Sequence, residues 1–318
     1  MAKPTRVLFV ADLHGSAVCF RKFVNAAKVY GANVLLVGGD IAAKTMTPIF
    51  PETGGWSATV EGETRTAHST EELDRLEGWL RDGATVPYRT AKSDWLALIS
   101  DRSEADRVFL ELELGELRRS LAWAKERLRG GDARLLLGLG NDDLTPMEDV
   151  IAADGFAELT DREVLRVDEH HELLTLPYSN PTPWQTHREL SEEEISRHIA
   201  VGASHLEDPS QAVFNFHVPP HNTPLDIAPR LGPGLVKVMT PGGEPDMIHV
   251  GSTAVRAALE RHQPLLGLHG HIHESKGTVQ IGRTTAINPG SAYTEGTLLG
   301  AVVDLVPKGI RATMMTTG

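Results

Sequence analysis

Asp12 and His14 in VLFVADLHG, Asp40 in VLLVGGD, Asn141 in LLLGLGND, His217 in AVFNFHVPP, and His271 and His273 in LLGLHGHIH have types and spacing fit for chemistry. Each group follows an apolar run that reads as a buried strand. Carboxylate, amide and imidazole ligands offered together from strand ends suit a pair of hard-to-borderline divalent cations. Taken singly they mean little. Asp12 and Asp40 at strand ends could be helix N-caps, and a lone His217 is more often a satisfied core histidine than a ligand. The ordered succession DxH…GD…GN…H…GHxH is hard to reach by independent accidents. His271 and His273 alternate, so a continuing strand puts them on one face.

The elements that must position these residues are legible as an α/β pattern. Residues 6–11 form a short buried strand. Residues 16–30 have helical spacing, with Phe20, Phe23, Val24 and Ala27 on one stripe, and 33–37 form the next strand. This βαβ unit puts Asp12 and Asp40 on the carboxyl edge of a sheet, where α/β proteins build sites. Between Asp40 and Asn141 lie about a hundred residues, more than one crossover helix needs. Within them 48–65 reads as a hairpin about Gly54-Gly55, and 71–81 and 94–129 read as helices. We take about 44–130 as a cap-like insertion in a single domain spanning 1–318, with a specificity cap or an oligomer contact as its alternative role. Further strands are expected at 134–139, 173–176 and 212–216, and an edge or closing strand at 302–305. Helices are expected at 147–153, at 188–203 with its start signal Ser191-Glu-Glu-Glu194, and at 252–262.

Composition sets bounds on partners. The 318 residues, 41% of them hydrophobic, suffice for a large core. A net charge of −12 argues against a broad duplex nucleic-acid footprint. It leaves room for a small phosphorylated substrate, because bound metal ions would be the largest local charges in the site. Cys19 is the single cysteine, placed on the buried face of the first helix, and a reducing cytoplasm is the expected compartment. No apolar run approaches the ~18 residues of a membrane span, and Met1–Arg6 leads into the first strand without a cleavage pattern.

From Val7 to about Tyr293 the chain resembles the calcineurin-like metallophosphoesterases. Within them it is similar to the Icc-related predicted phosphoesterases, through HVPPH (217–221) running on to Leu225-Asp226, LHGHIHE (268–274), INPGS (287–291) and YSNPTPW (178–184). The resemblance implies a four-layer α/β/β/α sandwich of two mixed sheets with helices outside. It implies a first metal held by Asp12, His14 and His273, a second by Asn141, His217 and His271, and Asp40 bridging both. Two divalent ions (Mn, Fe, Zn or Ni, with Mn favoured) would then activate a bridging water for in-line attack on phosphorus. Asn141 would also reach a phosphate oxygen.

The chain departs from the common pattern at one place. Many relatives carry a histidine directly after the motif's asparagine as proton donor or phosphate contact, whereas here Gly140-Asn141 is followed by Asp142-Asp143. An ionised aspartate is a poor acid unless burial or a second carboxylate raises its pKa. Two alternatives stand: Asp142 couples to Asp143 and keeps a proton, or Asp142 orients another group while Asp143 caps the next turn. His221 is a further candidate donor or phosphate contact, and His269 a candidate to orient a ligand. His170-His171 reads as a solvated turn. Without the usual histidine, substrates with good leaving groups are expected, which favours a small or nucleotide-type phosphodiester. Tyr178, Trp184 and Phe216 are candidates to stack on a base. A phosphomonoesterase on a sugar or nucleotide phosphate, and a non-catalytic scaffold, remain as alternatives; an oligomer is left open.

Overall fold

A computed structural model describes residues 4–161 and 163–318; the lead-in residues 1–3 lie outside them. Strand β1 (Thr5–Val10), helix α1 (Ala17–Tyr30) and strand β2 (Val34–Gly38) form the first βαβ unit. Then come β3 (Met46–Glu52), β4 (Gly55–Val60), β5 (Glu63–Ala67), α2 (Thr70–Asp82), β6 (Val86–Arg89), α3 (Lys92–Ser100) and α4 (Arg102–Leu128). The chain continues through β7 (Arg134–Gly138), α5 (Met147–Asp154), β8 (Glu158–Leu159), β9 (Leu165–Arg166), β10 (Glu172–Leu176), α6 (Glu192–Ala203) and β11 (Val213–Phe216). It ends with β12 (Ile227–Pro229), β13 (Met247–His249), α7 (Thr253–His262), β14 (Leu266–Leu268), β15 (Gly277–Ile281), β16 (Thr284–Asn288), β17 (Leu299–Val306) and β18 (Gly309–Thr317).

Two six-stranded sheets, β18-β17-β1-β2-β7-β8 and β15-β16-β14-β11-β10-β9, carry the fold. Both are mixed. In the first, β1, β2, β7 and β8 run parallel while β17 and β18 are antiparallel; in the second, β10, β11, β14 and β16 are parallel between antiparallel edges. Strand alternation then divides the apolar side chains between two faces. Phe9, Leu36 and Leu136 point inward and meet Leu173, Val213, Leu268 and Ile287 of the second sheet. Leu8, Leu35 and Leu135 point outward to α1, α4 and α5. Phe214 and Phe216 face α6 and α7 on the far side. The result is helix, sheet, sheet, helix.

Three local expectations give way. The helix read at 94–129 is broken, because the Asp101 side chain accepts the Glu104 N–H and starts α4 afresh. The strand read as an edge or closing strand is β17, which lies between β1 and β18. The segment read as a cap is two things: β3–β6 with α2 builds a small sheet with its own core of Ile49, Ala58, Leu73, Leu76 and Leu80. The far half of α4, through Leu117, Leu121 and Ala124, belongs to the outer layer over the first sheet. Cys19 is buried as expected. Among the described residues no helix is long and apolar enough to cross a membrane.

Candidate metal centre

Parallel register aligns the ligand loops. Val10 pairs with Val37 and Val37 with Leu137, so Asp12, Asp40 and Asn141 leave one sheet edge together. Asn215 pairs with Leu268, which sends His217 and the His271–His273 loop off the facing sheet. Backbone bonds lace the loops: Asp12 N–H donates to Gly39 O (3.0 Å), His14 N–H to Asp40 O (2.9 Å) and Gly270 N–H to His217 O (2.9 Å). The two sheets are joined where His271 N–H donates to Asp12 Oδ1 at 3.0 Å.

All seven expected ligands converge. Asp12, His14 and His273 form one group whose ligating atoms lie within 4.8 Å of one another, and Asp40, His217 and His271 form a second. His14 Nε2 is 3.1 Å from His273 Nε2, and His217 Nε2 is 3.1 Å from Asn141 Oδ1. Asp40 Oδ2 reaches both groups, 3.6 Å from His14 Nε2 and 3.3 Å from His217 Nε2. One carboxylate oxygen therefore serves two clusters.

The backbone is bent to make this happen. Asp12, His14, Asp40 and His271 have φ of 57°, 43°, 53° and 65°, a left-handed conformation that costs non-glycine residues of order 1–3 kcal/mol each. For this reason His271 and His273 do not share a strand face: β14 stops at Leu268, and the left-handed turn at His271 sends the two imidazoles to different groups. Glycines clear the space. A Cβ on Gly140 would stand 2.2 Å from Asp40 Oδ1, and one on Gly270 would stand 2.5 Å from Asp12 Oδ2.

The electrostatics call for cations. Asp12 and Asp40 are 1% and 2% exposed. Burial pushes both carboxyls up, yet neighbouring histidines win, and both stay below the ordinary carboxylate range. Burial likewise pushes the His217 imidazole down, but Asp40 overrides it and lifts His217 to about 10. Burial lowers His14 to about 3 and His271 to about 4, the neutral state in which imidazole ligates. Two buried carboxylates, an amide oxygen and four imidazoles in overlapping groups fit a pair of divalent cations.

Asp142 and Asp143 separate in role. Asp143 accepts three backbone N–H groups, from Ile41 (2.9 Å), Ala42 (2.7 Å) and Gly140 (2.8 Å), and so fastens the Asp40 loop to the Asn141 loop. Asp142 lies at the rim of the centre, grouped with His14 and Asp40, and its Oδ2 is 2.9 Å from Lys44 Nζ, while its backbone N–H donates to Asp40 Oδ1 at 2.9 Å. Lys44 and Tyr293, whose ring is 4.7 Å from His14 and 5.7 Å from His273, were not singled out by sequence reasoning. Lys44, four residues past Asp40 with no periodicity to mark it, carried no signal; Tyr293 stood only at the end of the matched region.

His221 sits in a different company. Its Nδ1 is 3.6 Å from the buried Asp226, which also holds His249 Nδ1 at 2.7 Å, and the two rings meet edge-on at 5.9 Å. His269 hydrogen-bonds the Phe216 carbonyl (2.8 Å), steadying the backbone before His217 instead of bonding a ligand side chain. His171 is buried against Asp168 (2.8 Å), not solvated. Asn288 gathers the Leu225, Gly270 and Ile272 carbonyls, and Ser291 Oγ donates to Asp12 O at 2.7 Å. Phe216 is buried in a stack with Phe214, and Tyr178 packs on His198, so neither is free to stack on a base. Trp184 is 60% exposed on the loop whose Thr186 Oγ1 accepts from Asn141 Nδ2 at 2.8 Å.

Two mixed sheets face to face, flanked by helices and carrying the candidate ligands at their carboxyl ends, make a four-layer α/β/β/α sandwich. The fold is shared with the protein TT1561 of Thermus thermophilus, at TM-score 0.53 and 13% identity over 99% of each chain. A further crystal structure matches at TM-score 0.56 and 13% identity over 98% of each chain. In sequence, the chain is 30% identical over 152 residues to the uncharacterized protein MJ1162 of Methanocaldococcus jannaschii, a match covering 47% of this chain and 61% of that one. No protein-family model matches.

Proposed function

We propose that the chain is a metal-dependent phosphohydrolase acting on a small or nucleotide-type phosphodiester. The observation that carries this reading is Asp40 Oδ2 standing within reach of both ligand groups, which is how one carboxylate holds two cations side by side. Two divalent cations so held would supply Lewis acidity at the phosphoryl oxygens and a nucleophilic water at neutral pH. Mn²⁺ suits the mixed oxygen and nitrogen donor set.

The chain's own residues bind and orient. Asn141 faces the second group through Oδ1, and its Nδ2 is held by Thr186 at 2.8 Å, which fixes the amide's direction. Asp142 is engaged by Lys44 at 2.9 Å, while burial and Asp40 raise its carboxyl above the ordinary range; with no histidine after Asn141, a leaving group that departs without strong protonation is favoured. That supports a diester over a monoester. Exposed Trp184, two residues from Thr186, supports a substrate with a flat aromatic part such as a base.

Turnover of bis-p-nitrophenyl phosphate against p-nitrophenyl phosphate, by metal-stripped protein refilled with Mn²⁺, tests the reading. Diester turnover lost in Asp40→Ala is the expected result. Monoester preference would overturn the diester assignment, and absence of metal-dependent turnover of either ester would favour a scaffold.

A further inference from the structure

Lys44 is tethered at its root. Its loop leaves Asp40 with Ile41 and Ala42 N–H groups fastened to Asp143, Gly15 N–H donating to Ile41 O (2.7 Å), and Val86 N–H donating to Thr45 O (2.9 Å). The ammonium end is placed by Asp142 Oδ2 at 2.9 Å, and that same oxygen is 3.8 Å from His14 Nδ1. An ammonium carries three donors, so two remain after Asp142 is satisfied. The side chain is 44% exposed, which leaves those donors open to a ligand. Burial lowers the Lys44 pKa, but Asp142 outweighs it and keeps the amine charged. Sharing the Asp142 Oδ2 oxygen with His14 places the ammonium on the Asp12–His14–His273 side of the centre.

We propose that Lys44 is the phosphate anchor of this site, its ammonium held by Asp142 and donating to a non-bridging phosphoryl oxygen of substrate and product. The inference rests on the phosphohydrolase reading. A charge-assisted hydrogen bond from an ammonium to a phosphate oxygen is among the stronger polar contacts. Asp142 is then a positioning residue: it aims the lysine and offsets its charge when no substrate is present.

The test is binding of inorganic phosphate to the Mn²⁺-loaded protein by calorimetry, with diester kinetics alongside. Lys44→Ala should weaken phosphate binding about tenfold to a hundredfold and raise KM for the diester more than it lowers kcat. Lys44→Arg should recover most of the loss. The decisive comparison sets the Lys44→Ala, Asp142→Asn double variant against wild type. Phosphate binding that stays weak supports a direct contact; binding restored to the wild-type level would show that Lys44 only neutralises Asp142 and would overturn the proposal. Mn²⁺ stoichiometry measured on each variant separates a lost anchor from a lost metal. Phosphate binding that depends on Lys44 with no ester turnover would sink the hydrolase reading and leave the anchor standing.

Discussion

Replacing Asp143 by alanine should both destabilise the protein and loosen the metal centre. The carboxylate is fully buried and accepts from Ile41, Ala42 and Gly140 N–H at 2.9, 2.7 and 2.8 Å. Each buried donor left unpaired costs about 1–3 kcal/mol, and water entering the space would restore part of that. A net loss of about 3–5 kcal/mol follows, a large share of the roughly 5–15 kcal/mol that holds a typical domain together. Asp143→Asn is the graded control. Its amide oxygen still serves Ile41 and Ala42, while its NH₂ confronts the Gly140 N–H, so about a third of the effect should appear. Urea unfolding of the metal-free proteins gives the ranking wild type, Asn, Ala. Mn²⁺ titration should then show weaker binding in the same order, because Asp40 and Asn141 lose their common brace. An Asp143→Ala midpoint within about 0.5 kcal/mol of wild type would refute the brace.

Two further outcomes concern protons. Glu113 on α4 is 3% exposed, and burial, partly offset by the Ala43 N–H, lifts its pKa to about 8. In the unfolded chain it loses its proton near pH 4.5, so between these values the native state binds more protons and stability falls as pH rises. Glu113→Gln should match wild type near pH 4 and exceed it at pH 8 by on the order of several kcal/mol; parallel stability curves would contradict this. Metal loading should release protons at pH 7, since His217, held at about 10 by Asp40, must be neutral to ligate. Calorimetry in buffers of differing ionisation enthalpy should give about one proton from this residue, and buffer-independent heats would count against His217 as a ligand.

The seven candidate ligands could be picked out as a converging set because each follows an apolar strand, and a strand's carboxyl end is where an α/β sheet offers side chains. What could not be read was backbone curvature. Alternation put His271 and His273 on one face, and only the φ of 65° at His271 reveals that they part. Likewise Asp101 looks like any polar residue in an amphipathic run, yet its side chain can cap only if the chain bends there. Lys44 escaped notice because its meaning depends on Asp142, far away in sequence and 2.9 Å away in space.

Those unread features share a cause. Four of the seven candidate ligands sit in left-handed backbone, a conformation that neither propensity nor pattern selects. It persists because the surroundings over-determine it: Asp143 from one side, Asn288 and Ser291 from the other, and Gly140 and Gly270 where a Cβ would strike a carboxylate. Sequence pattern therefore marked the residues that converge. The residues that aim them were visible only through hydrogen bonds that cross the chain.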